Sequence, residues 1–159
     1  METQLIKSAH AIGESNYHLQ LTPAYRQDVF EEPLLRELTM AYIAQKLKQF
    51  KVVLLGYGFG PDHLHLFLGN VRHVGEIKLV QQLKGYSSYM LRKGHAALFS
   101  NKLWGDKFWS SGHFYRSVGA VTAESMQWYV TEGQKKHWRT HTFEQYQLLK
   151  NQTRLTSFN

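Results

Sequence analysis

The chain contains no cysteine, which excludes disulfides and thiolate metal sites and leaves imidazole, carboxylate and amide groups as ligands for any ion. Long apolar runs are also missing. Nothing approaches the roughly 18 consecutive apolar residues that span a bilayer, and the stretch from Met1 to Tyr17 has no apolar core of the signal-peptide kind. We therefore expect an intracellular, cytoplasmic protein. Acidic residues are few, with 12 Asp and Glu against 19 Lys and Arg. The resulting net charge of +7 favours polyanions such as nucleic acid or an acidic membrane surface. What is abundant is apolar and aromatic, at 43% and 14% of 159 residues, enough for one sizeable core and hardly two. A single domain over 1–159 is expected, with its core over about 15–140, a polar tail over 141–159, and no internal repeat or low-complexity linker.

Asn16 to Thr22 alternates apolar and polar residues and reads as a strand, closed by Pro23. Leu34, Leu35, Leu38, Ile43 and Leu47 recur near a 3.6 period behind Pro33, which predicts an amphipathic helix to about Phe50. Lys51–Tyr57 and His63–Leu68 form two strand-like runs around Gly58-Phe-Gly-Pro61 and predict a hairpin. Val74, Ile77, Val80, Leu83 and Tyr86 or Met90 predict a second helix to Leu91, followed by a loop over Gly94–Gly105. Phe108–Val118 reads as a fourth, exposed strand, and Thr122 caps a third helix that starts at Ala123 and runs to about Trp138. The order β, α, β, β, α, β, α predicts an α+β fold, an antiparallel sheet with helices over one face.

Side chains two apart on a strand share a face, so His63 and His65 can offer two imidazoles to one ion while Leu64 and Leu66 turn to the core. Asp62 can orient one of those imidazoles as an outer-shell group. Read alone, His-x-His is more often a solvated strand face, and Tyr129 is one aromatic of an amphipathic helix among nine tyrosines.

Four blocks of sequence, taken in order, carry a resemblance. Pro61-Asp-His-Leu-His-Leu-Phe67 resembles the signature of the HUH single-tyrosine transposases of the smallest bacterial and archaeal insertion sequences, including the REP-associated tyrosine transposases, with Leu64 as the bulky apolar residue between the histidines. Gln82-Leu-Lys-Gly-Tyr-Ser-Ser88 and the aromatic stretch Leu103-Trp104 with Phe108–Gly119 are similar to the blocks that follow in that family. Met126-Gln-Trp-Tyr-Val-Thr-Glu-Gly-Gln-Lys-Lys-His-Trp138 resembles the helix that bears the nucleophilic tyrosine.

The resemblance implies a fold like the RNA-recognition (ferredoxin-like) domain and a homodimer with sites shared between subunits. It also implies a metal-dependent transposase that cleaves and rejoins single-stranded DNA with hairpin ends through a 5′-phosphotyrosine. Tyr129 would be the catalytic nucleophile, and His63 and His65 the ligands of Mg²⁺ or Mn²⁺. The family's third ligand is a Gln one turn after the tyrosine, where this chain has Gly133. Gln134 lies one residue further, about 140° round an ideal helix from Tyr129, and a π-bulge would realign it. Glu132 and His137 are the alternative third ligands. Lys84, Arg92, Lys93, Lys107, Arg116, Lys135 and Lys136, interleaved with aromatics, are expected to contact DNA. Two other readings of the residues remain. One is a non-catalytic single-stranded nucleic-acid-binding module of the same sheet type, and the other a domesticated relative acting on chromosomal repeat hairpins.

Overall fold

A computed structural model describes residues 5–119 and Glu124. Two short strands, β1 (Ile6–Lys7) and β2 (Ile12–Gly13), form a small antiparallel ribbon that the sequence pattern did not announce. The main sheet comprises β3 (Asn16–Leu21), β4 (Val53–Gly60), β5 (His63–Gly69) and β6 (Phe114–Val118). Helix α1 (Pro33–Gln49) links β3 to β4, and α2 (Glu76–His95) lies between β5 and β6. Strand order is β4-β5-β3-β6 with every pairing antiparallel. The β-α-β-β-α-β path with β5 and β3 at the centre is the ferredoxin-like arrangement, so the α+β expectation holds.

Alternation on the two central strands divides the sheet into two chemically distinct faces. Leu19, Leu21, Leu64, Leu66 and Leu68 point one way and pack with Leu35, Ile43 and Leu47 of α1 and Leu79, Val80, Leu83 and Leu91 of α2. Asn16, His18 and Gln20 of β3 and His63, His65 and Phe67 of β5 point the other way, and all are buried. The two helices thus cover the leucine face, as the sequence pattern required.

Helix α1 starts at Pro33, with the Glu32 carboxylate accepting from the Leu34 N–H at 3.3 Å. It ends in a Schellman turn, in which Val52 N–H donates to the Leu47 carbonyl at 2.9 Å and Lys51 N–H to Lys48 at 3.1 Å. Lys51 occupies the left-handed position at φ 56° where glycine is usual, so no glycine marked that helix end. Leu34 stands 47% exposed, outside the apolar stripe expected for it.

The second helix differs from its predicted face and length. Its buried stripe is Leu79, Val80, Leu83, Ser87 and Leu91, while Ile77 is exposed. It continues through Gly94 to His95 and into a 3₁₀ turn over Ala96–Leu98, where a loop was expected. Local helix propensity is weakened by glycine, but packing of Leu91 and Phe99 in the core holds the element together.

The fourth strand is shorter than Phe108–Val118, beginning only at Phe114. Phe108 and Trp109 instead anchor the preceding loop in the core at 0% and 4% exposure. Trp109 Nε1–H donates to Ser87 Oγ at 2.8 Å, and Ser87 Oγ–H donates to the Leu83 carbonyl at 2.6 Å. The predicted third helix and polar tail fall outside the described residues, except that Glu124 is helical.

Candidate functional site

The site is built on the face that the helices leave to β3 and β5. Register places Gln20 opposite His65 and His18 opposite Phe67, while on the other flank Gly58 pairs with His65 and Gly60 with His63. His63 and His65 are 1% and 0% exposed, with ring centroids 4.9 Å apart and planes inclined by 80°. The solvated strand face that a bare His-x-His suggests is therefore not what forms.

Both histidines are held at Nδ1. His63 Nδ1–H donates to Asp62 Oδ1 at 2.7 Å, and Asp62 Oδ2 accepts from Arg26 Nε and Nη2 at 3.0 and 2.9 Å. His65 Nδ1 shares a 2.9 Å hydrogen bond with His18 Nε2. A carboxylate only accepts, so Asp62 fixes the proton of neutral His63 on Nδ1 and the lone pair on Nε2. This is the arrangement by which outer groups orient metal-binding imidazoles.

Burial disfavours the charged form of Asp62, but the His63 hydrogen bond and the Arg26 charge outweigh it and hold the carboxyl below its ordinary pKa. Asp62 is therefore a carboxylate throughout the neutral range. Burial, with the nearby Arg116 charge, lowers His18 from 6.5 to about 3. A neutral His18 can accept the Nδ1 proton of His65, leaving the His65 lone pair on Nε2 as well.

His18 is a member of the site that the sequence reading missed. It stacks on Phe67 with ring centroids 4.7 Å apart and planes within 5°. Alternation within Asn16-Tyr-His-Leu-Gln-Leu-Thr22 put His18 opposite in sense to Leu19 and Leu21. Only the pairing of β3 with β5 shows that this is the His63 face.

Gly60 is required by close approach. A Cβ there would lie 2.2 Å from His63 Cε1, 2.6 Å from Nε2 and 2.7 Å from Nδ1, so the ring occupies the space that any other residue would fill. The turn after β3 is also constrained. Tyr25 and Arg26 both take left-handed backbone conformations, at φ 57° and 52°, a region that costs roughly 1–2 kcal/mol per non-glycine residue. The Arg26–Asp62 pair lies at the end of that turn.

Among the described residues no group of three or more His, Cys, Asp or Glu side chains is placed to hold a metal ion. The donor set nevertheless fits a divalent ion in kind. It has two buried imidazoles on one face, oriented through Nδ1, with a carboxylate behind one of them. Tyr129, Gln134, Glu132, His137, Lys135 and Lys136 lie outside the described residues.

The remaining expected DNA contacts are not gathered in one place. Lys84 donates to the carbonyls of Ser111 and Gly112 at 3.2 and 3.1 Å, and burial lowers its pKa. Arg92 donates to the Lys107 carbonyl and lies 5.3 Å over the Phe99 ring, while Lys93 lies 5.5 Å over Tyr89. These cations belong to α2 and the loop packed on it, the layer on the leucine face. Arg116 alone of the described set pairs directly with a site residue, opposite His18 in the β3–β6 register.

The family model described as "Transposase IS200 like" matches residues 11–133. A crystal structure of a protein from Deinococcus radiodurans R1, assigned as a transposase, is similar in fold with a TM-score of 0.63. That match has 23% identity and covers 72% of this chain and 86% of the other. No curated protein matches the sequence. The family match defines the class, a transposase, an enzyme that acts on DNA. The chain belongs to the IS200-like transposase family, the group that the Pro61–Phe67 block resembles. No helix among the described residues is long and apolar enough to cross a membrane.

Proposed function

We propose that the protein cleaves and rejoins single-stranded DNA through a 5′-phosphotyrosine, with Tyr129 as nucleophile and His63, His65 and Gln134 as ligands of Mg²⁺ or Mn²⁺. The observation that carries the reading is the buried histidine pair held at Nδ1 by Asp62 and His18. Such preorganised imidazoles suit ion binding through Nε2 and are costly to build for structure alone. Glu132 and His137 stand as alternative third ligands.

When bound, the ion supplies Lewis-acid polarisation of the scissile phosphate and neutralises charge that builds on its oxygens. The tyrosine contributes the nucleophile. A phenol of ordinary pKa near 10 is a weak nucleophile at neutral pH, and the cationic field of the site favours its attack as phenolate. The Tyr129 oxygen forms a bond to phosphorus as the 3′-oxygen of the upstream strand leaves with a proton. In the reverse direction, a 3′-hydroxyl from another end attacks phosphorus and the Tyr129 oxygen leaves. One phosphodiester is exchanged for another, so no ATP is consumed.

The DNA carries hairpin ends, and the protein acts as a homodimer in the cytoplasm. Arg116, opposite His18 in the β3–β6 register, supplies phosphate contacts together with Lys135 and Lys136, while Lys84, Arg92, Lys93 and Lys107 serve DNA only on the helix side of the sheet, away from the histidine face.

The outer carboxylate gives a first test of the ion site. Asp62→Asn removes the charge behind His63, and Mn²⁺ affinity measured by titration should fall about 10- to 100-fold. Unchanged affinity would separate Asp62 from the ion.

Strand transfer tests the reaction itself. A single strand carrying element ends is cleaved, and a second strand with a free 3′-hydroxyl is then added without ATP. A joined product on a denaturing gel is expected. Cleavage with free 5′-phosphate ends and no joining would indicate a plain nuclease, whereas chelator-insensitive binding without cleavage would indicate a binding module.

A further inference from the structure

Tyr25 and Trp104 stand 78% and 70% exposed, yet they are not scattered surface aromatics of the ordinary kind. Their rings run parallel within 14° at a centroid separation of 6.4 Å. Tyr25 is raised on a left-handed turn at φ 57°, and the next residue, Arg26 at φ 52°, reaches Asp62 behind His63. Trp104 follows the buried Leu103. Its loop is tied to the same turn region, because Lys102 Nζ donates to the Asp28 carbonyl at 2.8 Å and Ala24 N–H to the Phe108 carbonyl at 2.9 Å. A fixed pair of aromatic faces therefore sits at the end of β3 where His63 opens β5.

We propose that Tyr25 and Trp104 form a stacking site that takes one unpaired base of the DNA strand whose phosphate lies at the His63 end of the sheet. Three observations select a nucleobase as occupant. The faces are parallel, so they match the flat surface of a base, and stacking of this type tolerates any base sequence. The whole chain carries +7, which suits the polyanion that delivers the base. The neighbouring turn holds an unfavourable backbone conformation at two consecutive residues beside a functional group, a pattern found where position matters more than local stability. Of the aromatics set beside the basic residues in the sequence, Phe108 and Trp109 are core residues and unavailable. Tyr86 donates its hydroxyl proton to Gln45 Oε1 at 2.7 Å.

The proposal rests on the single-stranded DNA reading above, and its test requires neither the ion nor Tyr129, so the two can fail separately. In EDTA, the full chain is titrated with single-stranded oligothymidine and with an abasic strand of the same length and charge. The wild-type protein should prefer the base-bearing strand. That preference should fall about 5- to 100-fold in Trp104→Ala and in Tyr25→Ala. Trp104→Leu, which keeps apolar bulk without a π face, should lose it too, and Trp104→Phe should retain most of it. The Leu and Phe pair carries the test if the alanine variant is poorly folded. A preference unchanged in Trp104→Leu and Tyr25→Ala, or equal binding of the two strands by wild type, would overturn the proposal. A preference with this pattern in a protein that forms no DNA adduct would support the stacking site and count against the transfer chemistry alone.

Discussion

His63→Ala and His65→Ala are each expected to abolish ion-dependent covalent attachment of DNA while leaving a folded protein that still binds single strands. The expectation rests on ligand number. Of the three imidazoles on the site face, His18 is engaged through Nε2 with His65 Nδ1, so the proposed donor pair is His63 and His65, and removing either one takes away half of that pair. A loss of Lewis-acid stabilisation worth several kcal/mol corresponds to a rate reduction of roughly 10³-fold or more. The two variants should differ in stability. His65→Ala removes the partner of His18 in the middle of the sheet, whereas His63→Ala leaves the Arg26–Asp62 pair intact at its edge. Calorimetric Mn²⁺ titration checks the binding arm, and thermal melts in EDTA check the stability arm. Retained ion affinity in both variants would remove the histidine pair from the metal site.

Gly60→Ala should be nearly as damaging although it deletes nothing. The added methyl would stand 2.2–2.7 Å from three atoms of the His63 ring, well inside contact distance. The ring is also held by Asp62 at 2.7 Å, so it cannot withdraw without giving up that bond. Overpacking of this kind costs about 1–3 kcal/mol of stability. A displacement of about 1 Å at a reacting centre costs on the order of 10²-fold in rate. Initial cleavage rates and the melting temperature together separate the two effects. A variant as active as wild type would mean that the position of the His63 ring is not critical.

Much of the architecture was legible because it follows from short-range periodicity. Period-2 alternation in Asn16–Thr22 and His63–Leu68 identified the central strands and put Leu64 and Leu66 in the core. The helix after Pro33 was equally plain. Features that depend on long-range pairing were not. His18 joins the site only because β3 lies beside β5, 47 residues away in sequence. Phe108 and Trp109 have strand-like composition, but tertiary burial overrides it and makes them anchors of a loop. The shift of the buried stripe from Ile77 to Leu79 and the run of α2 through Gly94 have the same origin, since packing and not propensity decides which side of a helix faces the sheet.

The site divides along the same line. The histidine pair and Asp62 could be proposed from adjacent residues, and the sheet brings the three together at one end of β5. The cations could not be ordered from sequence, because Lys84 turns to loop carbonyls and Arg92 packs over Phe99. The left-handed turn at Tyr25 and Arg26 carries no glycine, asparagine or aspartate to mark it, so the aromatic pair beside the site left no signal in the local pattern.

The most direct measurement of the central claim is a denaturing gel of the protein incubated with 3′-labelled single-stranded DNA carrying element ends, with Mg²⁺ or Mn²⁺. The account predicts a labelled protein–DNA adduct that requires the ion, retains the label downstream of the cleaved phosphate and is absent from Tyr129→Phe. An adduct that persists in Tyr129→Phe, or no adduct on genuine ends that the protein binds, would contradict it.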